Sequence, residues 1–81
     1  MLTLGDFNEF DEESKIGAVL MGVFLGERND NGLIVQLYGV ADFYVEVYFN
    51  VLENKIQPYR AFDSPSLLLP YLAHIKFNYR N

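Results

Sequence analysis

Few residues of this chain stand in patterns that could do chemistry, and the densest group centres on Glu46. Tyr44, Glu46 and Tyr48 alternate along the run from Phe43 to Asn50, with Tyr38 upstream of it and Arg60 downstream. A carboxylate among phenols and a guanidinium has two plain uses. It can make a cross-strand ion pair on a half-covered sheet, worth a few tenths of a kcal/mol up to ~1 kcal/mol, with the tyrosines supplying strand propensity and wet hydroxyls. It can equally form a recognition surface, because Tyr and Arg concentrate at interface hot spots. Tyr38, Tyr44, Glu46, Tyr48 and Arg60 are therefore the candidate interaction face, for a protein partner or for a second copy of the chain.

Other chemistries find less support. His74 is the sole histidine and the chain has no cysteine, so a nucleophile held against a base is missing and a thiolate metal site is excluded. Asn29-Asp30-Asn31-Gly32 resembles the opening of a calcium loop but lacks the later ligands and the closing Glu, and it reads as a hairpin turn. The six glycines form neither a dinucleotide fingerprint nor a phosphate loop. Glu12 and Glu13 diverge on a helix, and Glu46 has no second acid on its run, so paired carboxylates for hydrolysis are absent. A non-enzymatic domain without cofactor or metal is expected.

Charge narrows the partners. The 81 residues carry a net charge of −5, and the basic residues Lys15, Arg28, Lys55, Arg60, Lys76 and Arg80 are scattered. No cluster is available to displace counterions from phosphates, which argues against nucleic acid. Acidic residues gather at Asp6, Glu9, Asp11, Glu12 and Glu13. The plain reading is a solvated helix start. The functional reading is an acidic patch, as in a small regulatory or antitoxin-like protein that meets a basic protein partner. A hydrophobic fraction of 51%, with seven Phe and six Tyr, supplies one core of large side chains, so residues 1–81 read as a single domain. A homodimer would bury more surface than so small a domain can bury alone. The start Met1-Leu2-Thr3-Leu4-Gly5-Asp6 lacks the basic and long apolar regions of a signal peptide. The most apolar run, 16–25, is shorter than the ~20 residues that span a bilayer. A cytoplasmic location without membrane contact is the expectation.

The elements that must position these residues follow from periodicity. Residues 3–21 read as helical: Thr3 can cap a first turn, Phe7 and Phe10 share a face, and Asp11 can cap a second helix that opens with Glu12 and Glu13. Ile16, Val19, Leu20 and Val23 follow the spacing of a buried helical stripe, and Gly22 could end it with a positive φ. Residues 16–21 fit a buried strand by composition as well. A helix to Met21 with a strand from Val23 is the preferred reading.

From there the period becomes two. The 29–32 turn leads into Leu33–Tyr38, then Phe43–Asn50, and then Lys55–Asp63, where Pro58 demands an edge or a bulge. Three-residue loops at Val40-Ala41-Asp42 and Leu52-Glu53-Asn54, the latter with Asn54 left-handed, pair Leu37 with Val45, Gln36 with Glu46, Val51 with Lys55, and Glu46 with Arg60. That register puts Val35, Leu37, Val45, Val47, Phe49 and Tyr59 against the helices. It puts Ile34, Gln36, Tyr38, Tyr44, Glu46, Tyr48, Pro58 and Arg60 on the other face. Ser64 and Pro65 start a turn to Leu69, and Pro70 starts a second helical segment to about Phe77, with Leu68, Leu69, Leu72, Ile75 and Phe77 toward the core.

Leu37-Tyr38, Phe43-Tyr44-Val45-Glu46-Val47, Arg60-Ala61-Phe62 and Leu69-Pro70-Tyr71-Leu72 together resemble a group of small bacterial proteins of unknown function. These are of about this length and usually open with a helical segment. The resemblance covers most of the chain and implies a compact, cytoplasmic bacterial domain. It carries no site residue. The expected fold is α+β: an N-terminal helical segment, a four-stranded antiparallel meander, and a C-terminal helix packed on one sheet face.

Overall fold

The computed structural model describes residues 1–56 and 59–71. Two short helices open the chain. α1, Leu4–Asn8, begins at a reciprocal cap: the Asp6 amide donates to Thr3 Oγ1 at 3.1 Å and the Thr3 amide donates to Asp6 Oδ2 at 3.2 Å. α2, Glu12–Leu20, is capped by Asp11, whose Oδ1 accepts from the Ser14 amide at 2.8 Å. That hydrogen bond holds the Asp11 carboxyl below its ordinary pKa. Residues 16–20 are thus helical, and the first strand starts at Val23 as expected.

The helix-to-strand connection at Gly22 is set by close approach. A Cβ there would sit 2.5 Å from the Gly39 carbonyl oxygen, so only glycine lets the chain cross the neighbouring strand. Gly22 does not take the positive φ expected of it; Gly32 does, at 86°, in the Asn31-Gly32 hairpin turn.

The sheet is antiparallel, in the order β1 (Val23–Asp30), β2 (Leu33–Val40), β3 (Phe43–Asn50), β4 (Lys55–Ile56), with β5 (Arg60–Phe62) pairing further along β3. The fold is α+β, and the fourth strand of the expected meander is split in two. Phe49 pairs with Ile56 and Glu46 with Arg60. The span from Ile56 to Arg60 therefore holds one residue more than the span from Glu46 to Phe49, the offset of a bulge. Pro58 itself lies outside the described residues.

Two loops correct the expected register. Ala41 takes a left-handed φ of 52°, which closes a two-residue turn with Val40 opposite Phe43. Leu37 therefore faces Glu46, and Gln36 faces Val47, one residue away from the expected pairing. Alanine is an unfavourable residue for that conformation, which is why a longer loop was the natural expectation. Asn54 is left-handed as expected, φ 54°, but its loop has four residues, 51–54, with Asn50 opposite Lys55.

A one-residue slip exchanges the faces of a strand. Only β2 is exchanged: Val35 and Leu37 lie with Tyr44, Glu46, Tyr48 and Arg60, while Ile34, Gln36 and Tyr38 lie with Val45, Val47 and Phe49.

Each face therefore has its own core. On the Val45 face α1 and α2 bury Phe7, Val19, Val40, Phe43 and Val45, and Phe7 packs tilted on Phe43 at 5.7 Å. On the Glu46 face a 3-10 helix, Pro65–Tyr71, buries Tyr71 against Val35, Leu37 and Phe62. This helix runs through Pro70 without the break expected there, and Leu69 is exposed. The expected continuation over 72–77, with Leu72, His74, Ile75 and Phe77, lies outside the described residues. The α2 stripe is also less buried than its spacing implied: Val19 is in the core, whereas Ile16, Leu20 and Val23 are exposed.

The two ends of the Val45 face should respond unequally to truncation. Phe43→Ala, in the packed end, should cost about 3–5 kcal/mol. Phe49→Ala, in the half-buried end, should cost less than about 2 kcal/mol. Urea midpoints of the two variants measure the difference, and equal losses would show that the helices cover the whole face.

Candidate functional site

Glu46 occupies the centre of β3 and is only 2% exposed. A charge at such a position is tolerated only when fully paired and hydrogen-bonded. Each carboxylate oxygen has two partners. Oε1 accepts from the Tyr48 hydroxyl at 3.0 Å and lies 3.8 Å from Arg60 Nη1. Oε2 accepts from Arg28 Nη2 at 3.1 Å and from the Tyr71 hydroxyl at 2.5 Å.

Four segments converge on this group. β3 supplies Glu46 and Tyr48, and β5 places Arg60 directly opposite Glu46. Arg28 reaches across from β1, where it pairs with Val35, and the 3-10 helix delivers Tyr71. The Arg28 guanidinium lies over the Tyr71 ring, 5.3 Å from its centroid, and 3.6 Å from Asp30 Oδ2.

The protonation states follow from these contacts. Burial and then the bond to Glu46 push the Tyr71 phenol above its ordinary value, and the same two causes act on Tyr48. Burial works against the Arg28 charge, but the contacts with Tyr71 and Glu46 outweigh it and hold the guanidinium charged. The arrangement is a clamp. With each oxygen engaged by a phenol and a guanidinium, the bonds of Glu46 tie the 3-10 helix to the sheet.

The five residues expected to share an interaction face divide. Glu46, Tyr48 and Arg60 come together. Tyr44 lies on the same face but stacks on Phe62, ring centroids 5.5 Å apart. Tyr38 is on the opposite face, where its hydroxyl donates to Gln36 Oε1 and its ring meets Phe24 edge-on. The expectation that Glu46 lies on an open surface is corrected: the 3-10 helix covers it. Arg28 and Tyr71 were not anticipated. The one cation inside the first strand run and the aromatic after Pro70 were the available signals.

The open surface is on the other side of the sheet. α1 and α2 cover the Val40–Phe43 end of the Val45 face and stop short of the Ile34–Phe49 end. Between α2 and the sheet lies a cleft of about 150 Å³, walled by Ile16 and Leu20 and floored by Tyr38, Val47, Ile56 and Tyr59. It adjoins a larger hollow of about 320 Å³ bordered by Glu27, Ile34 and Phe49, with Gln36, Val47 and Ile56 common to both. Leu20 is 75% exposed, and Phe24 and Ile56 are about half exposed. Two acids stand at the margins. Glu27 accepts from Gln36 Nε2, and burial, then the nearby charge of Glu12, pushes up the Tyr59 phenol. No three His, Asp or Glu side chains among the described residues are placed to hold a metal ion. Nor is any described helix long and apolar enough to cross a membrane.

Removing one partner of the buried carboxylate should be far more damaging than removing the exposed one. Glu46→Gln, which leaves Arg28 only its longer contact with Asp30, should cost about 3 kcal/mol or more. Tyr71→Phe should cost about 1.5–3 kcal/mol, and Arg60→Gln, whose side chain is 54% exposed, less than ~1 kcal/mol. Stability should also fall at alkaline pH. A phenol whose folded pKa is raised stabilises fully below the unfolded value of about 10 and loses that contribution as pH climbs toward the folded value. Urea midpoints taken on both sides of that pH check this, and the alkaline loss should shrink in Tyr71→Phe. The chain matches no protein-family model, and comparison with curated proteins and with solved structures finds no match, so assignment rests on this geometry.

Proposed function

We propose that this protein is a non-enzymatic protein-interaction module and that it docks its partner on the open half of the Val45 face. One observation carries the reading. Large apolar side chains (Ile16, Leu20 and Ile56) stay exposed around a cleft, with Phe24 exposed against its Tyr38, on the same sheet face whose other half is tightly packed. A contiguous apolar surface of that kind on a small domain marks a recognition site more often than it marks idle surface. Tyr38 remains part of the interface. Tyr44, Glu46 and Tyr48 serve the fold, and Arg60 stands at the edge of the clamp.

The acidic reading of the chain joins this one. Asp6, Glu9, Asp11, Glu12 and Glu13 are exposed on α1, α2 and the turn between them, the layer that borders the cleft. A basic protein partner would meet them there, as for a small acidic regulator or an antitoxin-like protein. A second copy of the chain would bring acid against acid, so a foreign partner is favoured over a homodimer on this face.

Affinity capture from the native host tests the assignment when wild type is compared with three variant baits. A protein retained by wild type and by Arg60→Gln, but lost with Leu20→Asp and with Ile56→Asp, supports the cleft. Loss with Arg60→Gln alone would move the interface to the Glu46 side. Sedimentation across a concentration series would overturn the foreign-partner reading if wild type dimerised and Leu20→Asp did not.

A further inference from the structure

The basic residues are sorted by the sheet. Of the four among the described residues, Arg28 and Arg60 are drawn to Glu46. Lys55, paired with Asn50, takes the same face by register. Lys15 lies over the Phe7 ring, at the covered end of the other face. Among the described residues the charged side chains at the cleft and the hollow beside it are acids. Glu12, Ile16 and Leu20 follow one another at four-residue spacing along α2, so the cleft wall ends in a carboxylate. Glu27, opposite Gln36 on β1, borders the hollow that Ile34 and Phe49 line.

The shape of the opening restricts the occupant further. Its floor is a field of side chains from β2, β3 and β4, and strand addition needs a free backbone edge, which this floor does not offer. The uncovered stretch of β2 and β3, about four residues of each, is roughly 13 Å long. A helix is about 10 Å across, and helices pack side by side at 8–10 Å. One helix laid beside α2 fills the gap and completes the layer that α1 and α2 begin.

Resting on the docking surface argued above, we propose that the occupant is a short amphipathic helix of a partner protein. Its apolar residues at i, i+3 or i+4, and i+7 enter the cleft, and Lys or Arg residues near its ends meet Glu12 and Glu27. The same acids repel anionic lipid headgroups, which sets the cleft apart from a membrane-binding face.

Selection from a displayed library of random peptides tests this, with full-length wild-type protein as bait and Leu20→Asp as counter-bait. Both baits are first shown to share the wild-type urea midpoint, and Ile56→Asp replaces Leu20→Asp if it does not. The expected result is enrichment of helical apolar spacing flanked by Lys or Arg. Binding of the best peptide should weaken by roughly three- to tenfold in the Glu12→Gln, Glu27→Gln double variant at low salt, and that difference should shrink at high salt. Enriched sequences of alternating, strand-like pattern or with acidic flanks would overturn the proposal, as would no enrichment dependent on Leu20. Tighter binding of wild type than of Leu20→Asp to vesicles rich in anionic lipid would overturn it in favour of a membrane surface. If capture from the host still depends on Leu20 and Ile56 while the peptides show neither helical spacing nor basic flanks, the docking surface stands and the helical, basic occupant alone is wrong.

Discussion

A carboxylate buried at the middle of the central strand is the constraint on which the rest of the molecule depends. Glu46 cannot remain charged in that position unless both oxygens are satisfied, and no single neighbour satisfies both. The fold answers with groups from four segments. β1 must lie two strands away so that Arg28 reaches across β2. β5 must resume pairing after the break so that Arg60 stands opposite. The 3-10 helix must come down on this face so that Tyr71 closes the group. Each demand fixes an element that hydrophobic burial alone would leave free to slide. An apolar residue in place of Glu46 could be equally stable, but it would not discriminate between registers in this way.

The register of β2 shows how local chemistry decides which side chains join the group. With Ala41 left-handed and the turn only two residues long, Val35 and Leu37 come to the Glu46 face and give Tyr71 an apolar bed. A three-residue loop would have put Ile34, Gln36 and Tyr38 there instead, and Gln36 would have competed for the carboxylate. The strain of one alanine at positive φ is small beside that of a mispaired charge. The one-residue register offset between β4 and β5 plays the complementary part, because the four-residue 51–54 loop would otherwise leave Glu46 opposite residue 59.

Sequence reasoning reached the parts of this fold whose cause is local. Thr3 and Asp11 announce their caps, Asn54 its left-handed turn, and the Phe43–Asn50 alternation its strand. The pairing of Glu46 with Arg60 followed even though the loop between them was one residue longer than expected, because the register offset between β4 and β5 cancelled the error. What stayed hidden has non-local causes. No propensity marks Ala41 for a left-handed turn, so the β2 exchange could not be anticipated, and with it went the assignment of Tyr38 and the burial of Glu46. Arg28 and Tyr71 lie 18 and 25 residues from Glu46 in the chain. Only the assembled sheet and the 3-10 helix bring them within reach.

Stability and recognition are linked through charge. Since Glu46 gathers Arg28 and Arg60 to one side, the acids of α1 and α2 and Glu27 outnumber the cations on the other, where Lys15 stands alone among the described residues. The two sides therefore differ in kind. One is closed, ion-paired and tied down by Tyr71; the other is apolar, open at one end and edged with acid. A small domain gains from this separation. The most exposed side chains of the proposed docking face, Leu20, Phe24 and Ile56, are not the ones that hold the fold together, so they can vary without loosening the core. The clamp in turn can be rigid without restricting what docks. Leu20, Phe24 and Ile56 contribute little to folding at their observed exposure, and that freedom is what a recognition surface requires.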